Sequence, residues 1–347
     1  MDSKTTLHRP RLAVTMGDPA GVGPEVIVKA LQDPWVQRAC RPVIIGDVTA
    51  VHRAMALLNV RLPIKVIQEI HEIPSDLQEE VVVLCRTPLS FDDITYGRPS
   101  AAACQKTIQF IRTAVDMTLT GHADAMVTGP IHKDALQRHG FPFPGHTEFL
   151  QDLTGSSHVV MMLAGPKLRV ALATIHCALR DVPERITPKC LLDTLEVLAA
   201  SLKCDFGISS PRIAVSGLNP HAGEAGRFGR EELEVIAPVV NHFRRTHPWC
   251  DTSGPYPPDT VFFRAFEGHF DVVLALYHDQ GLIPLKLVHF HEAANVTLGL
   301  PILRTSVDHG TGYDIAGKGI AHSGSLLYAM QTAVTMVRHR KAERIGV

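Results

Sequence analysis

Three histidines of this 347-residue chain follow apolar runs that are far apart in sequence. His176 ends Val170-Ala-Leu-Ala-Thr-Ile, His278 ends Val272-Val-Leu-Ala-Leu-Tyr, and His221 follows Ile213-Ala-Val-Ser-Gly-Leu-Asn-Pro. Each run is short, apolar and partly β-branched, which predicts a buried strand. In a parallel α/β sheet the carboxyl ends of the strands open onto the ligand crevice. Three imidazoles delivered there can meet around one divalent cation and leave room for a substrate. The competing reading is three ordinary polar residues at strand ends. Glu224, three residues beyond His221, is a candidate to orient an imidazole from behind.

A second group of residues suits an anion. TGPIHK (128–133) supplies Lys133, and His146 and Thr147 stand just before an expected helix start at Glu148, where free backbone N–H groups attract phosphate. Arg304 is able to clamp a carboxylate or phosphate with two parallel N–H bonds, and it flanks a short strand together with Asn295. Lys286 lies in the apolar stretch Leu285-Lys-Leu-Val, where a lysine either snorkels to water or has a task. Asp279 and Asp259 are the carboxylates nearest to this chemistry in sequence. The polar, glycine-rich segment 304–319 offers backbone amides and Lys318 to a pyrophosphate or an adenosine edge. GDPAGVGPE (17–25) lies between a strand and a helix, but it is neither a GxGxxG fingerprint nor a P-loop. By itself it reads as a tight glycine turn.

The elements that must position these residues alternate between strand and helix. Strands are expected near 12–15, 42–45, 81–84 and 125–128, and helices at 24–32, 48–58, 99–121, 188–202, 231–245 and 323–340. An antiparallel pair turns at Gly165-Pro166, and one late strand-like stretch covers 295–303. This pattern predicts an α/β fold of mainly parallel sheets with helices on both faces. The length suits two domains. Residues 1–140 with 290–347 are expected to form a cofactor-side domain, and residues 141–289 a metal- and dimer-side domain. A formal net charge of −1 gives no global attraction to nucleic acid or to an anionic membrane. No apolar run approaches a membrane span. Seven scattered cysteines without a CxxC pair argue for a reduced compartment. With no signal-peptide pattern at the start, the expected location is cytoplasmic.

The segments GDPAGVGPE (17–25), TGPIHK (128–133), GHTEFL (145–150), LNPHAGE (218–224), YHDQGLIPLK (277–286) and NVTLGLPILRTSVDHGT (295–311) together resemble the 4-hydroxythreonine-4-phosphate dehydrogenase (PdxA) family of vitamin B6 biosynthesis. The resemblance covers almost the whole chain. It implies a two-domain fold like that of isocitrate and isopropylmalate dehydrogenases, and NAD-dependent, metal-dependent oxidation of a secondary alcohol in a small phosphorylated hydroxy acid. NADP is an alternative cofactor. It implies that His176, His221 and His278 ligate a divalent metal (zinc, cobalt or magnesium), with His278 contributed by the second subunit of a homodimer. His146, Thr147, Lys286, Asn295 and Arg304 correspond to substrate-binding positions. A loop similar to 309–319 holds the adenosine half of NAD in the related enzymes, which makes His309, Gly310, Asp314 and Lys318 the cofactor candidates. Lys286, Asp279 and Asp259 are the candidates for catalytic proton transfer. Two segments depart from the biosynthetic pattern: Ala225-Gly-Arg-Phe-Gly229 is more similar to paralogues that oxidise 4-phospho-D-threonate or 4-phospho-D-erythronate, and Thr174-Ile-His-Cys-Ala-Leu-Arg180 varies around His176. A dihydrodiol dicarboxylate dehydrogenase, a metal-dependent hydrolase and a non-catalytic metabolite-binding protein are the more distant readings.

Overall fold

The computed structural model describes residues 9–74 and 80–345. Compactness divides the chain into two units. One comprises the chain up to Thr154 with Pro301–Val337, and the other comprises Gly155–Leu300 with the residues from Arg338 onward.

The first unit is a run of strand–helix alternations: β1 (Arg11–Thr15), α1 (Gly23–Leu31), α2 (Pro34–Ala39), β2 (Arg41–Ile45), α3 (Val48–Leu58), β3 (Ile64–Ile67), β4 (Val81–Leu84), α4 (Ala101–Leu119), β5 (Ala125–Thr128), α5 (Lys133–Arg138) and α6 (His146–Thr154). After the second unit the chain returns as β12 (Arg304–Val307) and the long helix α12 (Gly324–Ile345), which belongs to this unit up to Val337. The six strands of this unit pair in the order β3-β4-β2-β1-β5-β12, all parallel. Every residue of β5 and of β12 is buried. Because successive side chains point to opposite faces, both faces of the sheet are covered there. The helix starts are written in the sequence. The side chains of Asp33, Asp47 and Ser100 each accept a backbone N–H in the first turn of α2, α3 and α4, satisfying donors that a helix leaves open. Pro24 sits in the first turn of α1, where a missing N–H costs nothing.

The second unit contains β6 (Val160–Ala164), β7 (Arg169–Leu172), α7 (Val182–Arg185), α8 (Pro188–Cys204), β8 (Arg212–Ser216), a π-helical turn (Glu232–Ile236) running into α9 (Ala237–Thr246), β9 (Asp251–Tyr256), α10 (Pro258–Phe266), β10 (Val272–Ala275), α11 (His278–His289) and β11 (Ala294–Leu298). Its strands run in the order β11-β6-β7-β10-β8-β9. β7, β10, β8 and β9 are mutually parallel, whereas β6 is antiparallel to both β7 and β11. The hairpin expected at Gly165-Pro166 is present, closed by the Gly165 N–H donating to the Leu168 carbonyl at 2.9 Å. The core gathers apolar residues of β7, β10, α10 and α11, among them Val170, Val273, Val261 and Leu285.

Several details differ from the sequence expectation. The stretch 295–303 is not one strand. β11 ends at Leu298 and β12 begins at Arg304, with Gly299 at φ +85° between them. The units divide at 154/155 and 300/301 where the sequence placed crossings at 140/141 and 289/290. The physical reasons are local. Phe149 of α6 meets Phe141 edge-on and lies under Arg112 of α4, and β11 is laddered to β6 from Ala294↔Ala164 to Leu298↔Val160. His146 and Thr147 therefore belong to the first unit and Asn295 to the second. Lys286, read as part of an apolar stretch, lies on α11, a helix with Pro284 inside it.

Gly281 allows α11 to lie against its sheet. A Cβ there would stand 2.5 Å from Val170 Cγ1 and 2.9 Å from Ala275 Cβ. Overpacking of this kind costs about 1–3 kcal/mol. Gly281→Ala is therefore expected to lower the midpoint of urea unfolding, despite alanine's better helix propensity; an unchanged or raised midpoint contradicts this packing.

Candidate active site

In the second unit, β7, β10 and β8 are neighbours and parallel. Their carboxyl ends lie on one edge, and the segments leaving that edge carry the three histidines. His176 comes four residues after β7, His278 is the first residue of α11 just beyond β10, and His221 lies five residues past β8. The rings of His176 and His278 stand 5.9 Å apart, centroid to centroid. They border a cavity of about 470 Å³ with Ile175, Cys177, Tyr277 and Asp279. His278 Nδ1 is 2.7 Å from Asp279 Oδ1, a contact that fixes the ring and leaves Nε2 to the cavity. His221 is apart from His176 and His278, its ring 6.2 Å from that of Phe228. Among the described residues no group of three His, Cys, Asp or Glu is gathered to hold a metal ion.

The backbone around His221 explains its placement. Residues 221–226 all have positive φ, including the non-glycines His221 (+54°), Ala222 (+52°), Glu224 (+43°) and Ala225 (+54°). Side chains adopt this region at a steric cost, so the surroundings must hold it. Glu232 does so. Its buried carboxylate accepts the N–H groups of Leu218 (2.8 Å) and Asn219 (2.7 Å) and the Asn219 side-chain amide (2.9 Å). Gln280 ties the two strand exits together. It accepts the Leu276 N–H and donates to the Gly217 carbonyl, both at 2.7 Å. Sequence reading proposed Glu224 as the partner of His221, but Glu224 is exposed and itself left-handed. A glutamate fourteen residues away gives no local signal of bracing a loop.

Of the other expected residues in this unit, Asp279 is exposed beside His278, and Asp259 is exposed in the first turn of α10. Lys286 is half-buried on α11. Asn295 is the second residue of β11, and its Oδ1 is buried without a hydrogen-bond partner.

The first unit holds a buried cation. Arg304, only 2% exposed, opens β12 and donates from Nε (3.2 Å) and Nη2 (2.7 Å) to the hydroxyl of Thr128 at the end of β5. Burial draws its pKa down to about 9. His146 is the first residue of α6, two positions earlier than the helix start read from the sequence. Burial, together with the positive charges of Arg304 and Lys133, holds its pKa well below the ordinary imidazole value, so the ring is neutral. Its Nε2 is buried and has no partner. Thr147, also buried, follows in the same turn. Thr128, which sequence reading passed over, is recognisable afterwards as the hydroxyl residue ending an otherwise apolar strand. His309, Gly310, Asp314 and Lys318 are all exposed on the loop after β12.

Strand-edge histidines in one unit and a buried guanidinium beside a neutral imidazole in the other define an α/β enzyme suited to a small anionic ligand. Comparison with known proteins gives the particular family. The family model described as "Pyridoxal phosphate biosynthetic protein PdxA" matches residues 38–333. A 4-hydroxythreonine-4-phosphate dehydrogenase of Desulforapulum autotrophicum is 45% identical over 98% of this chain and 99% of its own length. A D-threonate 4-phosphate dehydrogenase of Cupriavidus necator is 43% identical over 96% of this chain and 99% of its own. The crystal structure of 4-hydroxythreonine-4-phosphate dehydrogenase from Klebsiella pneumoniae superposes with a TM-score of 0.84 at 38% identity, covering 95% of this chain and 100% of that one. The chain belongs to the PdxA family of dehydrogenases.

The depressed pKa of His146 has a consequence for stability. Below an ordinary imidazole pKa of about 6.5 the unfolded chain takes up a proton at this residue that the folded protein refuses, so stability falls as pH drops, by at most about 1.4 kcal/mol per pH unit. His146→Asn is expected to flatten the decline of unfolding free energy between about pH 7 and pH 5. Equal slopes for the two proteins in denaturant titrations would mean that His146 protonates normally.

Proposed function

We propose that this enzyme oxidises the secondary alcohol of 4-hydroxythreonine 4-phosphate with NAD. The product, 2-amino-3-oxo-4-phosphooxybutanoate, then loses carbon dioxide to give 3-amino-2-oxopropyl phosphate for pyridoxal phosphate synthesis. The observation that carries this reading is His146 Nε2, a buried polar atom without a hydrogen-bond partner, on a ring that feels the charge of the buried Arg304 in the same unit. Buried polar groups are nearly always paired, so atoms of this kind are matched to groups a substrate brings. Family membership over nearly the full chain supports the same assignment.

The roles follow from chemistry. Arg304, held by Thr128, binds anionic oxygens, and Thr147 adds a hydroxyl donor. His146, being neutral, donates or accepts one hydrogen bond without adding charge next to the guanidinium. Asn295 Oδ1 takes an N–H or O–H of the substrate. Lys286 neutralises an oxyanion or moves the hydroxyl proton, with Asp279 and Asp259 as the other proton carriers. His176, His221 and His278 would hold a divalent cation, zinc, cobalt or magnesium, with His278 supplied by the second subunit of a homodimer. When bound, a cation of this kind lowers the pKa of the substrate hydroxyl towards neutrality. NAD would supply the hydride acceptor, and the exposed positions His309, Gly310, Asp314 and Lys318 would take its adenosine half.

A second reading has its own observation. Phe228 lies beside His221, with 45% of its surface exposed. An apolar ring at that point favours a substrate without an amino group there, and the Cupriavidus necator relative is named for D-threonate 4-phosphate. The two readings separate in a panel of phosphorylated hydroxy acids assayed by NADH formation after metal reconstitution. The first expects 4-hydroxythreonine 4-phosphate to give the highest kcat/KM. A clear preference for 4-phospho-D-threonate or 4-phospho-D-erythronate selects the second, and turnover that consumes no nicotinamide removes both. His221→Ala is expected to abolish turnover and lower bound metal together. Full activity in that variant without metal would remove the cation from the reaction.

A further inference from the structure

The motif GDPAGVGPE (17–25) has no part in the chemistry described so far. In the structure it forms the mould for the loop after β12. The Val22 N–H donates to the Thr311 carbonyl at 2.9 Å. The Tyr313 hydroxyl donates to Asp18 Oδ2, while Asp18 Oδ1 accepts the Ala20 N–H at 2.8 Å. Gly21 has to be glycine, because a Cβ there would stand 2.7 Å from the Thr311 carbonyl oxygen. The strongest contacts come from one face of α1. Glu25 is fully buried, and its two carboxylate oxygens accept the N–H groups of Gly317 (2.6 Å) and Gly319 (3.0 Å). One turn later, Lys29 Nζ donates to the carbonyls of Gly319 (2.8 Å) and Ala321 (2.7 Å). Residues four apart share a helix face, so a single face grips both donors and acceptors of the same loop segment.

The grip is one-sided. Thr311 and Ala316 are buried against it, while His309, Gly310, Asp314 and Lys318 are exposed. Gly317 and Gly319 have φ of +79° and +69°, a conformation that would otherwise have several alternatives for glycine. A buried carboxylate accepting two N–H groups forms charge-assisted bonds, and its place in the first turn of α1 puts it at the favourable end of the helix dipole.

We propose that Glu25 and Lys29 are positioning residues for the nicotinamide cofactor: by gripping residues 317–321 they preset the spacing of Gly310, Asp314 and Lys318. This rests on the reading that the loop takes the adenosine half of NAD. A loop already held in its bound shape loses less freedom on binding, and that saving appears as affinity.

The test uses the full-length, metal-loaded enzyme with two variants. Glu25→Gln keeps the shape but turns one acceptor into an NH2 that faces a loop N–H, and Lys29→Met removes the donor to both carbonyls. NAD affinity is measured by calorimetry, and steady-state constants are measured for NAD and for the phosphorylated substrate. In each variant the Kd and KM for NAD are expected to rise about tenfold, while kcat at saturating NAD and the substrate KM stay within about twofold. Unchanged NAD affinity in a folded variant overturns the proposal. So does a parallel loss of kcat and of affinity for both ligands, which marks general loosening. If Glu25→Gln does not fold, Lys29→Met decides the matter alone. Wild-type enzyme that binds no NAD would instead remove the underlying reading of the loop.

Discussion

Parallel strand pairing is the constraint on which the arrangement of functional residues depends. A parallel ladder aligns strand ends in the same direction. The registers Val273↔Val170 and Val273↔Ala214 bring β7, β10 and β8 to a common edge, and the chain must leave each strand there. The segments that leave carry His176, His278 and His221. In the other unit the same kind of ladder sets Arg304 opposite Met126 and Ser306 opposite Thr128. The long side chain of Arg304 then reaches two positions along the ladder, roughly 6.6 Å, to the Thr128 hydroxyl.

The buried polar groups do most of the shaping beyond the ladders. Glu232 anchors residues 218–219 ahead of the left-handed run, Gln280 joins two strand exits, and Glu25 grips a glycine loop. Each sits where a burial penalty would be severe without partners, and each has its hydrogen bonds satisfied by loop backbone. His146 and Asn295 are the contrast. Their open atoms are buried and have no partner within the chain. Buried polar groups that brace loops and buried polar groups without a partner are therefore distinguishable by their hydrogen bonds, which residue type alone does not reveal.

Much of the architecture was legible from local patterns. β1, β2, β4, β5 and β10 follow short apolar runs, and α3, α4 and α8 follow capped periodic segments, because burial and backbone geometry are dictated by neighbours a few residues away. Short or polar elements such as α2, β3 and β9 were not legible. β9, with the sequence Asp251-Thr-Ser-Gly-Pro-Tyr256, is a strand because it pairs with β8, not because of its own composition. The break between β11 and β12 was missed for a related reason. Leu298-Gly-Leu-Pro-Ile-Leu303 is apolar throughout, and only the partner of each half, β6 for one and β5 for the other, separates them.

The types of residue available for chemistry were also in the sequence: imidazoles after apolar runs, an arginine and a lysine in apolar surroundings, and two glycine-rich segments. The sequence by itself determined the family, the alternation of strand and helix, and which side chains stand at strand ends, since these depend on residue identity and short-range spacing. Tertiary structure decided that Thr128 holds Arg304, that His146 is neutral, that Glu232 rather than Glu224 braces the His221 loop, and that the first glycine motif grips the second. Those outcomes depend on hydrogen bonds and burial between segments from thirteen to nearly three hundred residues apart, which only the folded chain brings within reach.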